Sequence, residues 1–331
     1  MFFFVISSER SGSNLITKVM DAHPDCCGPS PLHMIRVFSR NLFRYGDLQL
    51  DDNWSALIQD VADLTHAQLG KWQTGIDAGD LLNDVQQRDL KSIIEYIYLR
   101  EATAQGKQHV VIKENRMHSM LPYILATFPD TRFVYLVRDP RDMALSWKMS
   151  PNHPGGVQKA VDIWSEDQTH GLEVHGYLKS LNRILMMRYE DLVRTPETQT
   201  KRLCEFLGLP AAPEMLNFHQ NRLTRENAER LKDWRNLGQP LMSHNTEKYK
   251  AGLTEVEVRY IESTCAPLME ALGYPLDYSQ SDEDFAEPLA EIEAKSVPEP
   301  EVLSVSEQAI REKRLAVIYR IIARKNYHFF E

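Results

Sequence analysis

The chain opens on Phe2-Phe3-Phe4-Val5-Ile6, apolar at every position, and passes at once into the polar turn Ser7-Ser8-Glu9-Arg10-Ser11-Gly12-Ser13-Asn14. A short run with no polar alternation predicts a strand buried on both faces of a parallel sheet. Past the turn, Leu15, Ile16 and Val19 fall at helical spacing between Asn14 and Asp21, so the order is strand, loop, helix. That order recurs. Val110 to Lys113 predicts a short strand before a helix through Met120 and Leu125, and Phe133 to Val137 predicts one before a helix through Met143 and Trp147. Ile184 to Met187 predicts a further strand, and Glu197 to Leu207 an amphipathic helix closed by Gly208 and Pro210. Strands alternating with helices imply an α/β fold with a central parallel sheet flanked by helices. The stretches 36–105, 157–180 and 212–275 are mostly helical in pattern and carry no chemical motif; they are expected to cover the sheet and shape a pocket.

The chain from Asp277 onward has a different texture. From Asp277 to Ser304 the chain turns acidic and proline-rich, with Pro288, Pro298 and Pro300, which predicts an extended linker. Ser306 to Lys325 then sets Ile310, Val317, Ile318, Ile321 and Ile322 on one side of a helix and Arg311, Lys313, Arg314, Arg320 and Arg324 elsewhere. The expected organisation is therefore a domain over 1–276, a linker over 277–304 and an amphipathic basic helix over 305–331. That helix is expected to dock on the body or on a second subunit, and a partner helix stays open.

Composition narrows the classes. With 43% apolar and 26% charged residues, the 331-residue chain has the balance of a soluble globular protein. No apolar run approaches the roughly 20 residues that span a bilayer, so no membrane span is expected. The start carries no basic leader or signal-length apolar stretch, which points to a cytoplasmic protein. Cys26, Cys27, Cys204 and Cys265 lack metal-ligand spacing and are read as reduced structural thiols, with no metal expected. The net charge is −9, yet eight acids and one base, Lys295, lie between Asp282 and Glu301, leaving the rest nearly neutral. Without a basic stripe no nucleic-acid partner is expected. Any bound anion must be held locally.

Two segments have the makings of such a site. In the first, Ser7 to Asn14 joins a buried strand to a helix, so backbone N–H groups and the positive end of the helix dipole face the same space. Gly12 permits close approach, Ser11 and Ser13 add hydroxyls, and Arg10 adds a charged fork. The nucleoside-triphosphate pattern G-x-x-x-x-G-K-[ST] is absent, which argues against a magnesium-dependent kinase. In the second, Tyr135 to Trp147, a strand delivers Arg138 at its carboxyl end, Pro140 starts a helix and Ser146 lies about two turns along it. Arg138 and Ser146 could hold one phosphate from two directions. Asp139 and Asp142 could instead pair with Arg138 or Arg141 in a purely structural network.

Together with Met20-Asp21-Ala22-His23-Pro24-Asp25, these two segments resemble the donor-binding pair of the sulfotransferase superfamily, particularly the branch of tyrosylprotein sulfotransferases and bacterial relatives. The resemblance runs from about Phe2 to Tyr274. It implies a P-loop-like three-layer fold and transfer of a sulfuryl group from 3′-phosphoadenosine 5′-phosphosulfate to a hydroxylated acceptor, without a metal. Arg10, Ser11, Gly12, Ser13 and Asn14 would bind the 5′ phosphosulfate, and Arg138 and Ser146 the 3′ phosphate. Tyr189, in Arg188-Tyr189-Glu190-Asp191-Leu192, would lie near the adenine or simply pack. In His244 to Lys250, Lys248 or Lys250 would close over the 3′ phosphate. Lys113, at a strand end, resembles the lysine that contacts the bridging oxygen, with Arg10 as its partner.

The general base is where the chain departs from the pattern. Pro31 stands where that branch carries a glutamate, leaving His33 of Pro29-Ser30-Pro31-Leu32-His33 as first choice. Small-molecule sulfotransferases place a histidine where this chain has Asn115, and His118 lies one helical turn further on; Glu114 and Glu9 are outside choices. A different reading is a nucleotide-binding regulatory or scaffold protein of the same fold that has lost its base and holds a partner through its terminal helix.

Overall fold

The computed structural model describes residues 1–279, 285–295 and 303–325. Five parallel strands, β1 (Phe2–Ile6), β2 (Cys26–Cys27), β3 (His109–Lys113), β4 (Arg132–Val137) and β5 (Ile184–Arg188), form one sheet in the order β2-β3-β1-β4-β5. Four of these match the apolar runs of the sequence. β2 is added by the adjacent cysteines, whose two residues pair with His109 and Val110 at the sheet edge. It is too short to leave a periodic signal.

The sheet is buried on both faces, as the unbroken apolar runs require. Phe2, Phe4 and Ile6 point into one core with Ile112, Phe133, Tyr135 and Trp164. Phe3 and Val5 point into the other with Val111, Val134, Leu136, Ile16 and Leu203. The helices Asp51–His66, Leu90–Ala104 and Gly156–Ser180 supply the first layer, and Ser13–Asp21 and Pro196–Leu207 the second. This is the three-layer α/β arrangement. β1, β3 and β4 are adjacent and parallel, so the turns that follow them open on the same edge of the sheet. That edge is where ligands of such sheets gather. Among the described residues no helix is long and apolar enough to cross a membrane.

The end of the chain differs from the sequence expectation in two ways. Within 277–304, where an extended linker was expected, Ala286–Lys295 is helical and Leu289 is buried in the core, while 280–284 and 296–302 lie outside the described residues. The apolar Leu289 can reach the core only if the segment folds back. The helix Val305–Ala323 lies against Asp51–His66 with Val317 and Ile321 buried, but its inward face also carries Glu307 and Arg314. Arg314 was expected among the outward basic residues; its guanidinium instead donates to the carbonyls of Leu32 (2.5 Å) and Ala67 (3.3 Å).

Candidate functional site

The turn after β1 is held in an uncommon backbone form. Arg10 has φ 62° and Gly12 φ 88°, and Gly12 is the N-cap of the helix Ser13–Asp21. A side chain at Gly12 would meet the Tyr189 ring, with a Cβ only 2.4 Å from its nearest carbon. Gly12→Ala is therefore expected to destabilise the fold by about 2 kcal/mol or more, from the left-handed backbone and the overlap together, read as a lowered denaturation midpoint. An unchanged midpoint would mean the turn relaxes freely. Ser11 Oγ and Asn14 Oδ1 are buried with no hydrogen-bond partner among the described residues. Buried polar groups ordinarily find a hydrogen-bond partner, so these two can take one from water or from a bound group.

Arg138 leaves the end of β4 and faces this turn. Its guanidinium donates to the carbonyls of Arg10 (2.9 Å) and Asn245 (3.3 Å) and lies over the Tyr189 ring at 4.4 Å, while its Nε has no partner. The acids of the segment are used elsewhere. Asp139 caps the helix Pro140–Lys148 and pairs with Arg141 (2.7 Å), which also pairs with Glu262. Asp142 accepts from the backbone N–H groups of Glu247 (2.7 Å) and Tyr249 (3.0 Å). The alternative of a structural network thus holds for Asp139 with Arg141, whereas Asp142 clamps the late segment onto the site. Arg138 makes no ion pair among the described residues.

The remaining expected residues divide. Ser146 accepts a hydrogen bond from Arg10 Nε (3.2 Å), so it meets Arg10 directly rather than sharing an anion with Arg138 alone. Tyr189 receives the Asn245 amide on its hydroxyl (2.6 Å), and Lys248 donates to Asn245 Oδ1 (3.1 Å) at the rim. Lys250 points away, paired with Glu247 (2.8 Å). Arg10, Gly12, Ser13, Asn14, Lys113, Arg138, Ser146, Tyr189, Lys248 and His33 all line one cavity of about 720 Å³. A second cavity of about 200 Å³, between Thr65, Trp72 and Arg230, lies apart from them.

Lys113 ends β3 inside that cavity. Burial pushes its ammonium down to about 8, with Arg36 and Arg10 adding to the effect and Glu9 and Glu114 opposing it. Its Nζ donates to Asn115 Oδ1 (2.5 Å), and the Asn115 amide donates to Glu9 Oε1 (2.7 Å). Next to it, Glu114 accepts from the backbone N–H groups of Ile35 (2.9 Å) and Arg36 (2.6 Å) and so anchors the start of the helix Met34–Ser39. Burial raises its carboxyl to about 7. Glu114 is fully buried and does not line the cavity, which gives it a structural task.

The two histidines considered as bases have different surroundings. His118 does not line the cavity; it approaches Asp167 at 3.5 Å and stacks on His170. Burial and the neighbouring His170 lower it to about 4. His118, Glu166 and His170 bring three potential ligand atoms within 4.8 Å of one another, although Arg116 occupies Glu166. His33 lines the cavity, with φ 56°, and burial followed by Arg314, Arg36 and Lys113 keeps it well below its ordinary value. Arg314 lies 3.4 Å from its Nδ1. A guanidinium only donates, so Nδ1 is left as the acceptor and the ring proton resides on Nε2, the atom without a partner. His33 is thereby presented to the cavity as a hydrogen-bond donor.

Residues the sequence did not single out complete the site. Asp233 pairs with Arg10 (3.1 Å), and His153 bonds Glu9 (3.1 Å) and Ser150 (2.7 Å). Their partners in the phosphate-binding turn, Arg10 and Glu9, lie far away along the chain.

A model of the sulfotransferase family matches residues 3–213, the stretch that contains β1 apart from Phe2, β2 to β5, and the turns that carry Arg10 and Arg138. The chain belongs to the sulfotransferase family. Among curated proteins it is 33% identical to carbohydrate sulfotransferase 7 of Mus musculus, covering 84% of this chain and 75% of that one. It is 24% identical to the protein-tyrosine sulfotransferase of Drosophila melanogaster, covering 84% and 54%. With carbohydrate sulfotransferase 3 of Tetronarce californica it shares 26% identity over 51% of this chain and 42% of that one. The chain thus spans about half the length of several curated sulfotransferases it matches. Solved sulfotransferase domains share the fold: that of the curacin biosynthetic pathway superposes with a TM-score of 0.56 at 22% identity, covering 83% of this chain and 98% of that one. The domain of the Synechococcus PCC 7002 olefin synthase gives 0.58 at 19% identity, covering 83% and 96%.

Proposed function

We propose that this sulfotransferase moves a sulfuryl group from 3′-phosphoadenosine 5′-phosphosulfate to a hydroxyl group of its acceptor. The observation that carries this reading is the convergence of Arg10, Gly12, Ser13, Asn14, Lys113 and Arg138 around one cavity, with Asn14 Oδ1 and Arg138 Nε buried and unpartnered; Ser11, fully buried, does not line it. Those atoms, the three cationic side chains and a cavity of about 720 Å³ suit a nucleotide with phosphate at both ends.

When bound, the donor supplies a sulfuryl group on a phosphosulfate anhydride. The turn Arg10 to Asn14 would hold its 5′ end through backbone N–H groups and hydroxyls. Arg138, with Ser146 and the Lys248 rim, would hold the 3′ phosphate, and Tyr189 would pack near the base. Lys113 and Arg10 would neutralise the oxygen that leaves. The acceptor would enter between His33 and the apolar wall of Leu69, Leu231 and Trp234. The relatives' names point to sugar or tyrosyl hydroxyls as acceptors.

Titration calorimetry with 3′-phosphoadenosine 5′-phosphate tests the reading. Saturable binding at one site per chain is expected. No saturable heat at about millimolar ligand, equivalent to less than about 4 kcal/mol of binding free energy, would overturn it.

A further inference from the structure

The proposed reaction needs an acceptor for the hydroxyl proton, and the residues first considered for it are occupied otherwise. His33 presents a donor, Glu114 holds two helix N–H groups, and His118 is outside the cavity. Glu9 is inside it, one position before Arg10 and joined to Lys113 through the Asn115 amide.

A chain of hydrogen bonds surrounds Glu9. Asp233 accepts from both Arg10 (3.1 Å) and the Ser150 hydroxyl (2.9 Å). His153 Nδ1 lies 2.7 Å from Ser150 Oγ, so the hydroxyl bridges the histidine to Asp233. On the other side His153 Nε2 lies 3.1 Å from Glu9 Oε2, an acceptor. Facing a carboxylate, Nε2 is the donor there, and Nδ1 is taken up by Ser150, so the histidine turns no free lone pair to the acceptor. The carboxylate does. Its two oxygens each take one hydrogen bond and keep a second lone-pair direction, and its side chain is 29% exposed to the cavity.

We propose that Glu9 is the general base of this enzyme and that His153, held by Ser150 and Asp233, is the residue that positions it. This rests on the reading of the site as a sulfuryl-transfer centre. In the step, the acceptor hydroxyl gives its proton to a Glu9 carboxylate oxygen while its own oxygen forms the new bond to sulfur. The bond from sulfur to the bridging phosphate oxygen breaks, and its electron pair stays on that oxygen beside Lys113 and Arg10. Glu9 then returns the proton to water. Burial pushes the Glu9 carboxyl up, but the His153 hydrogen bond and the Lys113 cation outweigh it and hold it below the usual range, so it is ionised at neutral pH.

The test uses the full chain and radiolabelled 3′-phosphoadenosine 5′-phosphosulfate, offering 4-nitrophenol and N-acetylglucosamine and counting transfer to either, or to water, as turnover. Glu9→Gln is expected to lower kcat at least about a hundredfold while affinity for 3′-phosphoadenosine 5′-phosphate, which also reports folding, stays within about threefold. Glu9→Ala is expected to regain rate with added formate. His153→Gln is expected to lower kcat about tenfold with an unchanged donor KM. It should also move the acidic limb of the pH profile upward, because Glu9 then keeps only the Lys113 and Arg36 cations to depress it. Glu9→Gln turning over within about threefold of the parent, with nucleotide binding intact, overturns the base and leaves the functional reading standing. A parent that binds the nucleotide yet moves no label overturns the base and supports a non-catalytic carrier. A parent that binds no nucleotide removes both.

Discussion

Lys113→Met is expected to lower labelled sulfuryl transfer by about a hundred- to a thousandfold, the loss typical of removing one preorganised donor from a developing anion. Nucleotide affinity should fall far less, because the donor's other contacts remain. The residue ends β3, is 8% exposed and has its Nζ fixed by Asn115. A rigid, poorly solvated ammonium interacts strongly with charge that appears on the leaving oxygen. Its surroundings also predict a pH dependence. With the ammonium pushed down to about 8 by burial, kcat/KM for the donor should decline as pH rises through about 8, where the cation is lost from the free enzyme. The kcat profile should break at higher pH, since a bound polyanion favours the charged form. Transfer by Lys113→Met within tenfold of the parent would remove the lysine from the reacting atoms.

Arg138→Ala should weaken binding of 3′-phosphoadenosine 5′-phosphate by about ten- to a hundredfold, the worth of one or two charge-assisted hydrogen bonds. Two effects combine. A phosphate loses its planar fork, and the Arg10 carbonyl loses the donor that helps hold Arg10 at φ 62°. Arg138→Lys should recover only part of the affinity, because a point charge cannot span the Arg10 and Asn245 carbonyls while meeting an anion. Calorimetry separates the variants. Equal affinity for parent and Arg138→Ala would place the second phosphate elsewhere in the cavity.

The apolar runs at 2–6, 110–113, 133–137 and 184–187 named four of the five strands, because a strand buried on both faces leaves an unbroken local signature. Gly12, Arg10, Lys113 and Arg138 were legible for a related reason: each stands at the carboxyl end of such a run, and the parallel pairing of β1 with β3 and β4 brings those ends together. The strand order itself, and β2, came from the folded sheet, since two residues carry no period.

The proton-handling residues were decided by tertiary structure. Glu9 meets His153 across 144 positions and His33 meets Arg314 across 281, and no pattern in a single sequence joins groups so far apart. Arg314 sits on a helix whose spacing places basic residues outward, and only packing reveals that it turns inward to the Leu32 carbonyl and His33. A histidine's competence as a base depends on which nitrogen faces a donor. The sequence alone thus determined four strands and the turn after β1, both written in contiguous residues. The folded chain determined which side chain is free to take a proton, because that depends on partners brought from remote segments and on the burial they impose.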